Sequence, residues 1–158
     1  MCKNRQSSET IHYCTILSDE QWIFLLEGKF STFRQKCLHR LMTDAVRTRT
    51  VYKIKGVDIA LAVGQVAASD VELAAYLGCN RKTVGKLIDN FNRLGMLTTQ
   101  TNNRTSIHTL HFLTGWYVGG VLITSPIMSD LWLLPKDRHL ECGHLFSAVL
   151  RQRATNVP

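Results

Sequence analysis

Residues 69–95 read SDVELAAYLGCNRKTVGKLIDNFNRLG, and few architectures accommodate such a run. Ser69 followed three residues later by Glu72 is a capping box, which opens a helix. Val71, Leu73, Ala74 and Leu77 recur at helical spacing behind it. Gly78 tolerates the left-handed conformation and stops that helix after about two turns. Asn80 caps another helix at once, and Val84, Leu87, Ile88, Phe91 and Leu94 mark its buried face before Gly95 ends it. Only Gly78, Cys79 and Asn80 separate the helices, so the second must turn sharply and cross the first. The small Ala74 permits a close crossing. Cys79 and Val84 fill the wedge, and Leu73, Leu77 and Leu87 supply the shared core. A second helix held across a first in this way is able to enter a DNA major groove, which is wide enough to admit it.

The residues left outside suit that task. With its apolar face buried, the second helix points Arg81, Lys82, Gly85, Lys86, Asp89 and Arg93 outward, and its first turn presents Asn80 and Thr83. Arginine pairs with guanine edges and asparagine with adenine edges. The helix N-terminus carries partial positive charge that favours phosphate. Gly85 has no side chain, so a backbone is free to approach there. Asp89 is expected to hold Arg93 or Lys86 by an i, i+4 or i, i+3 pair. The bland alternative is a solvated basic face with no nucleic-acid role.

Met96–Gln100 then reads as a strand, Thr101–Arg104 as turn chemistry and Thr105–Phe112 as a second strand, a β-hairpin directly after a helix. Period-two alternation puts Ile107, Thr109 and His111 on one face and Ser106, His108, Leu110 and Phe112 on the other. Asn102, Asn103 and Arg104 at the tip are placed to reach a minor groove or phosphates. The succession Gly64-Gln65 … Ser69 … Leu73-Ala74 … Gly78-Cys79-Asn80-Arg81-Lys82-Thr83-Val84 … Leu94-Gly95-Met96-Leu97 resembles winged-helix DNA-binding domains. It is similar to the N-terminal domains of phage and plasmid replication proteins and to bacterial regulators of the MarR and GntR kinds. The resemblance covers residues 51–112, or 31–112 with a helix from Ser31 to Arg49 as the first of that fold. It implies an α+β, mainly helical chain: a winged helix-turn-helix with a two-stranded wing and extra N- and C-terminal helices. It further implies a sequence-specific, double-stranded DNA-binding protein, a transcriptional regulator or replication-control protein of a bacterium or mobile element. The alternative is a winged-helix protein–protein adaptor in a replication or recombination complex. The DNA-binding residues expected are Asn80, Arg81, Lys82, Thr83, Lys86, Arg93, Asn102, Asn103 and Arg104.

Elsewhere, Ser18 and Gln21 form another capping box, opening a short helix through Trp22, Phe24, Leu25 and Leu26 that ends at Gly28. Phe33, Cys37, Leu38, Leu41, Met42, Ala45 and Val46 make a helical stripe, with Ser31 as its N-cap. Val51–Leu61 is rich in β-branched residues around Gly56, which predicts one or two short strands. The domain division expected is a flexible arm over 1–10, the DNA-binding domain with its helical extension over 11–112, and a C-terminal extension over 113–158. A helix over about Lys136 to Arg153 would carry an apolar side able to pack at home or on a homodimer mate.

Charge and cysteine usage bound the remaining classes. The 158 residues carry a formal charge of +7, which favours anionic partners without choosing among them. Residues 80–104 hold five bases against one acid, and residues 29–55 eight against one, so the excess sits in two segments. Five cysteines with no CxxC pair argue against a disulfide framework or a ribbon-type zinc site. The first ten residues hold no apolar run of signal-peptide length, and with reduced thiols this predicts a cytoplasmic protein. Trp116–Leu134 is the most apolar stretch, but Gly119, Gly120, Pro126 and Asp130 interrupt it, so no membrane span is expected. His139, Cys142 and His144 match no zinc spacing, and His108 and His111 face opposite sides of one strand. No phosphate loop, dinucleotide fingerprint, nucleophile elbow or HExxH is present. The expectation is therefore no enzyme, no metal and no cofactor. A small-molecule effector is not legible.

Overall fold

In the computed structural model, which describes residues 9–126, the chain runs β1 (Ile11–Thr15), α1 (Asp19–Leu26), α2 (Ser31–Asp44), β2 (Thr50–Ile54), β3 (Val57–Leu61) and β4 (Gln65–Ala67). It continues through α3 (Asp70–Leu77), α4 (Arg81–Arg93), β5 (Leu97–Thr101), β6 (Ser106–Leu110), β7 (Leu113–Val118) and β8 (Val121–Thr124). The strands form three antiparallel sheets, β1-β7-β8, β2-β3 and β4-β6-β5. No helix among the described residues is long and apolar enough to cross a membrane.

The helices start and stop where local chemistry dictates. Ser18 and Ser69 each close a full capping box, with Gln21 and Glu72 respectively. Gly78 ends α3 at φ +66°, and the Asn80 carboxamide oxygen accepts the Thr83 N–H at the start of α4. α2 begins at Ser31 but is preceded by Phe30 without a side-chain cap. α2 in turn closes the end of its neighbour. Arg34 on α2 donates to the Phe24 and Glu27 carbonyls at the end of α1 and lies over the Phe24 ring, so one guanidinium satisfies the orphan end of another helix.

The main core gathers all four helices and two sheets. Cys37, Leu41, Val84, Phe91, Met96, Leu110 and Leu113 have no exposed surface. Phe24 and Phe91 meet edge to face with centroids 5.8 Å apart. Val46, Ile59 and Leu61 form a smaller cluster beneath the β2–β3 hairpin. Burial raises the Cys37 thiol to about 12, with lesser contributions from nearby Cys79 and Asp70, so it behaves as an apolar core residue.

The mainly helical winged helix expected from the sequence is overturned. Among the described residues 36% are helical and 32% are strand, with four helices facing eight strands. Two physical causes account for the difference. The expected two-stranded wing has a third partner: β4 pairs with β6 from Gln65↔Thr109 to Ala67↔Ile107, which makes β6 a central strand. The start of the expected DNA-binding domain also pairs with the segment taken for a C-terminal extension. Ile11↔Val118 through Cys14↔Gly115 joins β1 to β7, and β8 continues that sheet. The division drawn at residue 112 thus falls between two buried residues, Phe112 and Leu113, of one core. The apolar stretch beginning at Trp116 is in its first part the β7–β8 hairpin, with Trp116 buried in the main core. The expected C-terminal helix, the trio His139, Cys142 and His144, and most of the expected arm lie outside the described residues.

Gly115 is where the β1-β7-β8 sheet tolerates no side chain. A Cβ there would stand 2.4 Å from the backbone oxygen of Ile123 on the neighbouring strand. Gly115→Ala is expected to cost about 1–3 kcal/mol, read as a lower urea midpoint with an unchanged slope. Among the described cysteines, Cys37 is expected to be the last alkylated, reacting only as the fold opens while Cys14 and Cys79 react in the native state; mass mapping of a labelling time course checks this.

Candidate nucleic-acid interface

α4 is buried along one side and charged along the other. Val84, Leu87, Ile88 and Phe91 are buried. Successive helical residues turn by about 100°, so Lys82, Lys86 and Arg93 fall on one stripe at the centre of the outer face, and all three are exposed. Arg81 and Gly85 lie on the flank, facing a cleft of about 850 Å³. That cleft is walled by the start of α3, the β2–β3 turn at Lys55 and the β5–β6 tip at Asn102, Asn103 and Arg104. The fold therefore brings Arg81, Asn102, Asn103 and Arg104 around one groove and leaves Lys82, Lys86 and Arg93 on the adjoining outer surface.

The acids of the groove are Asp70, Glu72 and Asp89. Glu72 spends its charge locally. It accepts the Ser69 backbone N–H and hydroxyl, which hold its carboxyl below the usual carboxylate range, and nearby Lys55 adds to the effect. The expected pairing of Asp89 does not form. Arg93 instead donates to the Asn90 carboxamide oxygen at 2.9 Å, and among the described residues the one ion pair is Arg40–Asp44 on α2. Arg81, Lys82 and Lys86 make no hydrogen bond or ion pair with any described residue.

Several expected contacts are already committed inside the fold. The Asn80 carboxamide oxygen accepts from both the backbone N–H and the hydroxyl of Thr83. A bidentate adenine contact needs that oxygen as well as the amide nitrogen, so Asn80 and Thr83 act first as the α4 cap. The Asn102 oxygen accepts the Arg104 and Thr105 N–H groups and shapes the hairpin tip. The Arg104 guanidinium donates to the Lys55 carbonyl in the β2–β3 turn. Asn103 is exposed with no such commitment.

Beneath the groove runs a polar chain that sequence reading missed, its one signal being the alternation along β6 that sets His108 on the same face as Leu110. His108 has no exposed surface. Its Nε2–H donates to the Ala68 carbonyl at 3.0 Å, and Thr99 donates to its Nδ1. The Thr99 hydroxyl in turn accepts from the Asn92 amide of α4, whose oxygen takes the Thr99 N–H. The Ala68 carbonyl only accepts, so Nε2 carries a proton, and burial favours the neutral ring in which Nδ1 accepts from Thr99. His111 points the other way, to the exposed Thr98 hydroxyl. Among the described residues no three His, Cys, Asp or Glu side chains converge as a metal site would need.

No known family profile matches the chain, and neither curated proteins nor solved structures contain a detectable relative.

Burial lowers the His108 imidazole from its ordinary 6.5, with the Ala68 carbonyl and Asp70 opposing. A depressed folded-state value favours the neutral ring, so this stability is complete above 6.5 and is lost as pH falls toward the native value. Urea unfolding at about pH 7.5 and about pH 5 is expected to show the midpoint dropping in the wild type and dropping less in His108→Gln.

Proposed function

We propose that the chain binds double-stranded DNA, with α4 as the element laid in the major groove. The observation that carries this reading is the exposed stripe of Lys82, Lys86 and Arg93, flanked by Arg81. It lies on a helix whose opposite face is wholly buried, and none of these bases has a carboxylate partner among the described residues. A rigid helix with unpaired cations is matched to a phosphate-lined groove. Gly85 adds weight. A Cβ there would meet only the Asp70 carboxylate at an ordinary 3.6 Å, so internal packing does not demand glycine. A mid-helix glycine costs about 0.5–1 kcal/mol relative to alanine, a cost offset if another backbone must come close.

The division of labour follows the geometry. Lys82, Lys86 and Arg93 hold phosphates, and Arg81 reads a base edge from the groove side. Asn103 and the free donors of Arg104 meet the backbone at the hairpin tip. Asn80 and Thr83 contribute by fixing the start of α4. We place this activity in the cytoplasm of a bacterium or on a mobile element, in regulation of transcription or control of replication. That setting rests on the resemblance of residues 64–97 and not on the geometry.

A specific observation favours a second reading, a protein–protein adaptor. Trp22, Ile23, Leu26 and Phe30 along and just beyond α1 are 44–59% exposed, an apolar patch a partner protein would cover.

Selection of bound duplexes from a random pool tests the first reading. Arg81→Ala is expected to cost about 1–3 kcal/mol on the selected site and to relax one base preference. Lys82→Ala with Lys86→Ala should weaken binding to selected and random duplexes alike and flatten the salt dependence by about 0.9 per lost phosphate contact. Affinity that ignores salt, or no binding to any duplex at low salt, sinks the reading and leaves the adaptor.

A further inference from the structure

The β2–β3 hairpin is built around an unfavourable residue. Ile54 pairs with Val57, leaving Lys55 and Gly56 as a two-residue turn, and both have positive φ, +48° and +79°. That is the type I′ pattern, in which asparagine, aspartate or glycine is the favoured first residue. Lys55 is the one non-glycine residue with positive φ among those described. A side chain held in this region costs about 1 kcal/mol or more, and such outliers concentrate where function requires a particular side chain.

The tip of this hairpin is also joined to the tip beside α4. The Arg104 guanidinium donates to the main-chain carbonyl of Lys55, so the two turns, 49 residues apart in sequence, form one continuous rim. Lys53 stands two residues before Lys55 on β2, exposed, opposite Asp58 on β3. Neither lysine makes an ion pair with a described residue. Asp58 lies opposite Lys53, and of the acids that share the cleft with Lys55 and Arg104, namely Asp70, Glu72 and Asp89, Glu72 is occupied in the Ser69 capping box.

From these features we infer that the β2–β3 hairpin is a second phosphate-binding element, with Lys55 and Lys53 gripping the duplex backbone beyond the stretch covered by α4. This rests on the DNA-binding reading and extends it. Arg104 contributes its remaining donors and, through the Lys55 carbonyl, fixes the spacing of the two tips. The contact is to phosphate and sugar, so it adds affinity and length of footprint without adding base preference. It also assigns part of the basic segment 29–55 that helix packing leaves unused.

Lys55→Asn separates fold from function. Asparagine relieves the turn, and the Arg104 bond survives because its acceptor is main chain. The inference expects a higher unfolding temperature together with weaker duplex binding, roughly three- to tenfold at about 0.1 M salt, and a salt slope lower by about 0.9. Lys53→Gln should add a similar loss, with base preferences unchanged in both and the nuclease footprint shortened on one side. If the full chain binds duplex and Lys55→Asn leaves affinity, slope and footprint as they were, the hairpin role is wrong while the α4 reading stands. If the wild type binds no duplex at low salt, both fall together.

Discussion

One face of α4 is dry, and its other face is committed to water by default. Phe91 and Val84 have no exposed surface, Phe91 meets Phe24 edge to face, and the Phe91 carbonyl accepts the Met96 N–H that starts the chain toward β5. Truncating a buried aromatic of this kind costs about 3–5 kcal/mol, a large part of any small domain's stability. The helix therefore has no freedom to roll. Its cations point where the apolar residues do not, and the hairpin leaves it in a set direction. Gln21 on α1 reinforces the same end by donating to the Leu94 carbonyl.

The parts of this arrangement legible in sequence are those written in short-range chemistry. Capping boxes, a left-handed glycine and a helical stripe are decided within about one or two turns, and at α3 and α4 they match the fold except that Val71, counted in the α3 stripe, is exposed. Buried and exposed sides of α4 were readable for the same reason. Long-range pairing was not. β1 reads IHYCT, with no buried-exposed alternation because three of its five residues are exposed and the other two are neighbours, and its partner lies about a hundred residues away. β4 has three residues, too few to show a period. The Asp89 pairing failed because a nearer neutral acceptor, Asn90, took Arg93. The Arg104–Lys55 link is a bond to a carbonyl, which no side-chain pattern announces.

The basic segment between residues 29 and 55 resolves into two kinds of charge. Arg34 and Arg40 are structural: the first closes the end of α1, and the second pairs with Asp44 and lies over Tyr76. Lys53 and Lys55 are presented outward on a hairpin that rests on its own small core. The polar chain from Asn92 through Thr99 and His108 to Ala68 links α4, β5, β6 and the residue entering α3. α4 and the β5–β6 hairpin thus stand on a shared support of which a buried histidine is a member, and the β2–β3 tip joins them through the Arg104 bond to the Lys55 carbonyl.

The pairing of β1 with β7 carries a consequence for synthesis. As the chain leaves the ribosome, the α3–α4 pair and the strands of the β4-β6-β5 sheet have one another by residue 110, whereas β1 waits unpaired until β7, which ends at Val118, has emerged. Closing so long a loop is an entropic cost met only after the nearer contacts have formed. The nearer contacts are thus laid down before β1 meets β7, so the sheet that flanks the helices is closed by a strand made long before its partner.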